Sequence, residues 1–143
     1  MPHLTLEYTA NLAHSAPSRA LLLSIHHLLN ATAGIRVENC KSRWHRVEDW
    51  VAGSGEGDSA FVHLDLRFLE GRSLDLQQAV GEGALEILRS HFLPGPREVG
   101  PEGRDGGVSA VDLQITVEVG EIREATYFKF PGGTLGPPPM KAV

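Results

Sequence analysis

The stretch Ala60-Phe61-Val62-His63-Leu64-Asp65-Leu66-Arg67-Phe68 alternates strictly, with Ala60, Val62, Leu64, Leu66 and Phe68 forming one apolar row. Side chains of a strand project to opposite sides with a period of two, so this run reads as a β-strand with one buried face. Pro2-His3-Leu4-Thr5-Leu6-Glu7-Tyr8 opens the chain in the same manner, Leu4, Leu6 and Tyr8 alternating against His3, Thr5 and Glu7. The two segments also start alike, Pro2-His3-Leu4-Thr5-Leu6 echoing Phe61-Val62-His63-Leu64-Asp65-Leu66. The chain therefore reads as two similar halves.

Each strand leads into a helix. Ser15 offers a cap with Pro17 close behind, and Leu21, Leu22, Ile25, Leu28 and Leu29 recur at helical spacing to about Asn30, with Gly34 as a stop. In the second half Gly71-Arg72 leads to Ser73, which can cap a helix that turns Leu76, Ala79, Val80, Ala84, Ile87, Leu88 and Phe92 to a sheet. Gly81 and Gly83 weaken that helix by roughly 1 kcal/mol each relative to Ala, so packing must carry it. A strand over about 41–51 follows the first helix, with Trp44, Arg46, Glu48 and Trp50 on one face and Arg43, His45, Val47 and Asp49 on the other. A last strand alternates from Val111 to Val119. Gly53-Ser54-Gly55-Glu56-Gly57-Asp58 is a loop by composition, 94–107 is a long Pro/Gly-rich excursion, and the tail from about Tyr127 reads as extended.

Strand–helix–strand, twice, predicts an α+β, two-layer fold: a double βαβ unit sharing one four-stranded sheet, with both helices on one face. One domain over 1–143 is expected, its halves at about 2–51 and 60–119. The second sheet face, with Trp44 and Trp50, then needs cover, which self-association would supply.

Composition narrows the function. With 41% hydrophobic and 22% charged residues the chain reads as an ordinary globule. A net charge of −5 argues against nucleic acid, whose phosphates need clustered Lys and Arg. Cys40 stands alone, so neither a disulfide framework nor a thiolate metal cluster is expected. His3, His45 and His63 lie on separate strands without zinc-site spacing, and no metal is expected. No apolar run approaches the roughly 18 residues of a membrane span, no leader segment is visible, and cytoplasmic residence is the expectation.

The chemistry-bearing feature is Pro2. If Met1 is removed, its nitrogen becomes a secondary amine; with Met1 attached it is a tertiary amide and no base. An α-amino group titrates at about 7.7–8.0, and burial or nearby cations lower that value. A rigid amine neutral near pH 7 is a usable proton shuttle.

The opening Pro2-to-Tyr8 run, Lys41-Ser42-Arg43 with Trp50 downstream, and Phe61-Val62-His63-Leu64 leading to Gly71-Arg72-Ser73 resemble the 5-carboxymethyl-2-hydroxymuconate isomerases of the tautomerase superfamily. Gln77-Gln78, Ser90-His91-Phe92 and the Tyr127-Phe128-Lys129 tail fit the same pattern. The resemblance implies a homotrimer that needs no cofactor and isomerises a small polycarboxylate dienol to its 2-oxo-ene tautomer. It places Pro2 at the catalytic position and Arg72 at a substrate-binding arginine. Lys41 and Arg43, two apart on one strand face, are the further candidates for substrate carboxylate. The family usually carries Gly-Ile-Arg-Ser-Arg where this chain has Asn39-Cys40-Lys41-Ser42-Arg43. Lysine keeps the charge but loses the planar fork that fits a carboxylate, which opens a second reading: a tautomerase of another 2-hydroxydienoate or 2-oxo acid. The element order alone also fits a non-catalytic, ferredoxin-like module that binds a small ligand.

Overall fold

Alternating strands bury their apolar rows only if helices cover one side, and the computed structural model, which describes residues 1–93 and 111–139, has that arrangement. β1 (His3–Thr9) leads through a 3-10 turn into α1 (Arg19–Ala33), followed by β2 (Lys41–Val47). β3 (Ser59–Leu69), α2 (Leu74–Phe92) and β4 (Asp112–Ile122) repeat the pattern. The sheet order is β2-β1-β3-β4. β1 and β2 are parallel, as are β3 and β4, while β1 and β3 meet antiparallel at the centre. This is the expected double βαβ fold. The Pro/Gly-rich excursion at 94–107 lies outside the described residues.

Leu4, Leu6, Val62, Leu64 and Leu66 of the central strands are fully buried against Ile25 and Leu29 of α1 and Val80, Ala84 and Leu88 of α2. Each fully buried Leu or Ile stabilises by about 1.5–3 kcal/mol. Gly81 and Gly83, which weaken α2 locally, earn their place in packing: a Cβ on Gly83 would stand 2.8 Å from Leu28 Cδ1, and one on Gly81 would stand 3.3 Å from Val119 Cγ2. Their bareness lets α2 lie close to both α1 and β4.

Four expectations are corrected. The cap of α1 is Ser18, not Ser15: its Oγ accepts from the Leu21 N–H at 3.2 Å. Ser15 instead ends the 3-10 turn Ala10–Ser15, and its carbonyl accepts from His91 Nε2 at 3.0 Å, tying the turn to the end of α2. β2 stops at Val47 because its partner ends there, the last pair being Thr9 with Val47. Trp50 has left the strand and donates its indole N–H to the Ser59 carbonyl at 3.3 Å. The face away from the helices is polar at its centre rather than apolar: His3, Thr5 and Glu7 pair there with Lys41, Arg43 and His45 on one side and with Arg67, Asp65 and His63 on the other, while Phe61, Leu69 and Ile122 lie on the same face toward the ends of its strands. The aliphatic rows all turn to the helices, and Trp44 lies at the β2 edge beside Leu22 and Leu23 of α1. Ala79 is exposed, one position off the buried stripe through Val80, Ala84 and Leu88. Among the described residues no helix is long and apolar enough to cross a membrane.

The close approach of α2 to α1 gives a stability test. Gly83→Val is expected to overpack the helix–helix contact and lower unfolding free energy by about 1–3 kcal/mol in urea titration, despite valine's better helix propensity.

Candidate active site

Because β1 and β3 run antiparallel, the start of the chain lies beside the end of β3, with His3 opposite Arg67 and Leu4 opposite Leu66. The C-terminus of α1 reaches the same end and is closed by Gly34 in the left-handed region, φ 67°. Gly71, at φ 114°, turns the chain out of β3 in a conformation that side chains rarely adopt, and delivers Arg72 directly before the Ser73 cap of α2. These elements enclose a cleft of about 180 Å³ lined by Met1, Pro2, Ile35, Asn39, Phe68 and Arg72 among others. Pro2 is buried.

Arg72 is held from several sides. Its Nε donates to the Ala33 carbonyl at 3.4 Å and Nη1 to the Leu69 carbonyl at 3.4 Å, and the guanidinium lies 5.2 Å from the centre of the Phe68 ring. Gln77 Nε2 donates to the Arg72 carbonyl at 3.0 Å and to Glu121 Oε1 at 3.2 Å, fixing the turn that carries the arginine. Lys41 opens β2 opposite His3; its backbone N–H donates to the Pro2 carbonyl at 3.1 Å, and its Nζ donates to Met1 Sδ at 2.9 Å. Arg43 is one step further along the same face. Its guanidinium turns to β1, Nη2 donating to His3 Nδ1 at 2.9 Å and Nη1 to Thr5 Oγ1 at 3.3 Å. Pro2, Lys41 and Arg72 thus come together at one end of the sheet, while Arg43 reaches the group through His3.

A family model described as 5-carboxymethyl-2-hydroxymuconate isomerase matches residues 2–98. The chain belongs to that family. The isomerase is 34% identical over 92 residues to the 5-carboxymethyl-2-hydroxymuconate Delta-isomerase of Escherichia coli, a match spanning 64% of this chain and 73% of that protein. The crystal structure of a 5-carboxymethyl-2-hydroxymuconate isomerase from Deinococcus radiodurans R1 superimposes with a TM-score of 0.70 at 29% identity, covering 90% of this chain and 88% of that one. A fused 4-OT in a symmetric trimer shares the fold at a TM-score of 0.58 and 15% identity, over 85% of this chain and 87% of that one. The protein is accordingly an enzyme, an isomerase of the tautomerase type. The reading as a non-catalytic ferredoxin-like module falls.

In the isomerase, burial first, then the charges of Lys129, Lys41 and Arg72, push the amino-terminal amine of Met1 below its ordinary value; Cys40 pulls weakly the other way. Lys129, a cation that acts on this amine, was not a candidate from the sequence. It stands more than a hundred residues from Pro2 in the chain, and the only signal for it was the Phe-Lys pattern of the tail. Burial raises the Cys40 thiol above its ordinary value, against the pull of Lys41, so Cys40 is a protonated thiol near neutrality and no nucleophile. At the opposite end of the sheet a larger cavity, about 630 Å³, is lined by Glu56, Asp58 and Asp112 together with neutral residues. There the Asp112 N–H donates to the Asp58 carbonyl at 3.0 Å, the counterpart of the Lys41 bond to Pro2.

The cation set makes a titration prediction. Removing a positive charge stabilises the protonated amine, so Lys41→Gln is expected to raise the pKa of the terminal amine, and added salt should raise it too by screening the remaining cations. NMR titration of the labelled amine reads both shifts.

Proposed function

We propose that the isomerase moves one proton along a small dienol polycarboxylate, with Pro2 as the base once Met1 is absent. The observation that carries this reading is a buried Pro2 in the cleft that Arg72 lines, with Lys41 bonded to its carbonyl. The neutral amine takes the enol proton, the electron pair shifts through the diene, and the resulting ammonium returns a proton to carbon at the far end, leaving a 2-oxo-ene. Charge that builds on the enolate meets fixed cations already in position, which lowers the barrier more than cations that must reorganise. Those same cations disfavour the protonated amine. Arg72 and Lys41 bind substrate carboxylate, and Arg43 supports the same face through His3. The names of the Escherichia coli and Deinococcus relatives favour 5-carboxymethyl-2-hydroxymuconate as substrate. Lys41 favours a second reading, in which another 2-hydroxydienoate or a 2-oxo acid is preferred, because an ammonium offers a point charge in place of a two-pronged fork.

The reading extends to a cytoplasmic homotrimer built from one domain per chain. Two observations support association: the symmetric trimer of the fused 4-OT, and the tail's Phe128, Phe130 and Leu135, which are 88%, 82% and 94% exposed. Apolar side chains so exposed favour burial against another copy.

With 5-carboxymethyl-2-hydroxymuconate as substrate, Pro2→Ala is expected to lower kcat/KM by about 10²–10⁴, the loss of a positioned base. Arg72→Ala should act mainly on KM. Full rates in the Pro2 variant would remove Pro2 from the chemistry. Relative kcat/KM on 2-hydroxymuconate and phenylpyruvate discriminates the two substrate readings.

A further inference from the structure

His3 lies next to Pro2 and is bracketed by two polar groups from distant parts of the chain. On one side Arg43 Nη2 meets Nδ1 at 2.9 Å, and on the other Tyr127 Oη meets Nε2 at 3.0 Å. A guanidinium can only donate, so Nδ1 must present its lone pair. A neutral imidazole then carries its proton on Nε2, which donates to the phenolic oxygen. Protonating Nδ1 would set an N–H against the Arg43 guanidinium, and burial together with Arg43, the terminal amine and Lys41 all oppose it, holding His3 below its ordinary pKa. The ring is therefore neutral, in one tautomer, and oriented by its neighbours. The Tyr127 ring meets it edge-on, centroids 6.1 Å apart at 71°.

The segment so held is otherwise weakly tied. Residues 127–139 have neither helix nor strand, and Phe128, Lys129 and Phe130 are exposed. Lys129 is two residues past Tyr127, which in an extended chain is at most about 7 Å along the backbone. We propose that His3 is a positioning residue: fixed by Arg43, it clips the C-terminal segment through Tyr127 and thereby stations the Lys129 ammonium against the amino-terminal base. This inference rests on the reading of that amine as the base. It gives Arg43 a role that its bonds to His3 and Thr5 describe, and it gives the tail a task in the reaction. In this structure the charged and titratable groups acting on the amine of Met1, one residue ahead of Pro2, are Lys41 from β2, Arg72 from the turn before α2, Lys129 from the tail, and Cys40, with Arg36 lining the same cleft.

The test is the pKa of the amine in the active protein, read by NMR, alongside the acid limb of the kcat/KM profile. Lys129→Gln is expected to raise the amine pKa by on the order of half a unit and move the acid limb to higher pH. Tyr127→Phe removes only an uncharged hydroxyl, yet is expected to reproduce that shift, and the double variant should show no more than either single one. His3→Phe, which loses both contacts, should behave like Tyr127→Phe. A Tyr127→Phe protein whose amine titrates as in the parent while Lys129→Gln shifts it would overturn the clip. No shift in Lys129→Gln would overturn the placement of the lysine. Because the amine is read spectroscopically, these outcomes are separate from the Pro2→Ala rates, which test the base itself.

Discussion

β1 and β3 lie side by side at the centre of the sheet, and their antiparallel register sets His3 against Arg67 and Tyr8 against Val62. Parallel pairing would have put the front of the chain beside the beginning of β3 and its acidic loop. Antiparallel pairing puts it beside the end of β3, where the chain must turn through Gly71 to start α2. Arg72 belongs to that turn, and Lys41 arrives because β2 is parallel to β1 and starts level with it. The buried leucines of the two central strands hold this register. A slip by one residue would send Leu4, Leu6, Leu64 and Leu66 to the polar face at a cost of several kcal/mol. The geometry of the site is thus a by-product of core packing.

An isomerase of this kind needs opposing electrostatics in one small volume. The chain as a whole is acidic, at −5, yet the groups acting on the terminal amine include Lys129, Lys41 and Arg72. In the proposed mechanism each cation attracts a carboxylate and repels a proton from the amine, so affinity and basicity are adjusted by the same groups. On the same reading, arrival of an anionic substrate would offset part of the repulsion and strengthen the amine as a base just when a proton must be taken. Binding and proton transfer are therefore coupled through space, without any moving part.

Much of the fold was legible because its signals are local. The alternation in β1 and β3, the helical spacing of Leu21, Leu22, Ile25 and Leu29, and Ser73 as a cap all follow from neighbouring residues. What failed depended on distant partners. The spacing points to Ser15 as the cap of α1, and Ser18 takes that place because Ser15 ends a 3-10 turn held to His91 of α2. The end of β2 was decided by where β1 ends. Gly81 and Gly83 looked like flaws until Leu28 and Val119 were found against them. The amine, Lys41 and Arg72 could be named in advance through the family resemblance, whereas Lys129 and the link from Arg43 through His3 to Tyr127 join segments that no spacing rule connects.

The two ends of the sheet are related by the repeat, and they are not alike. Where one half has Lys41 bonded to Pro2, the other has Asp112 bonded to Asp58, with Glu56 near by. The duplicated architecture has a hollow at each end, about 180 Å³ beside Pro2 and about 630 Å³ beside Asp58, and the two differ in polarity. An anion is drawn to one and turned away from the other.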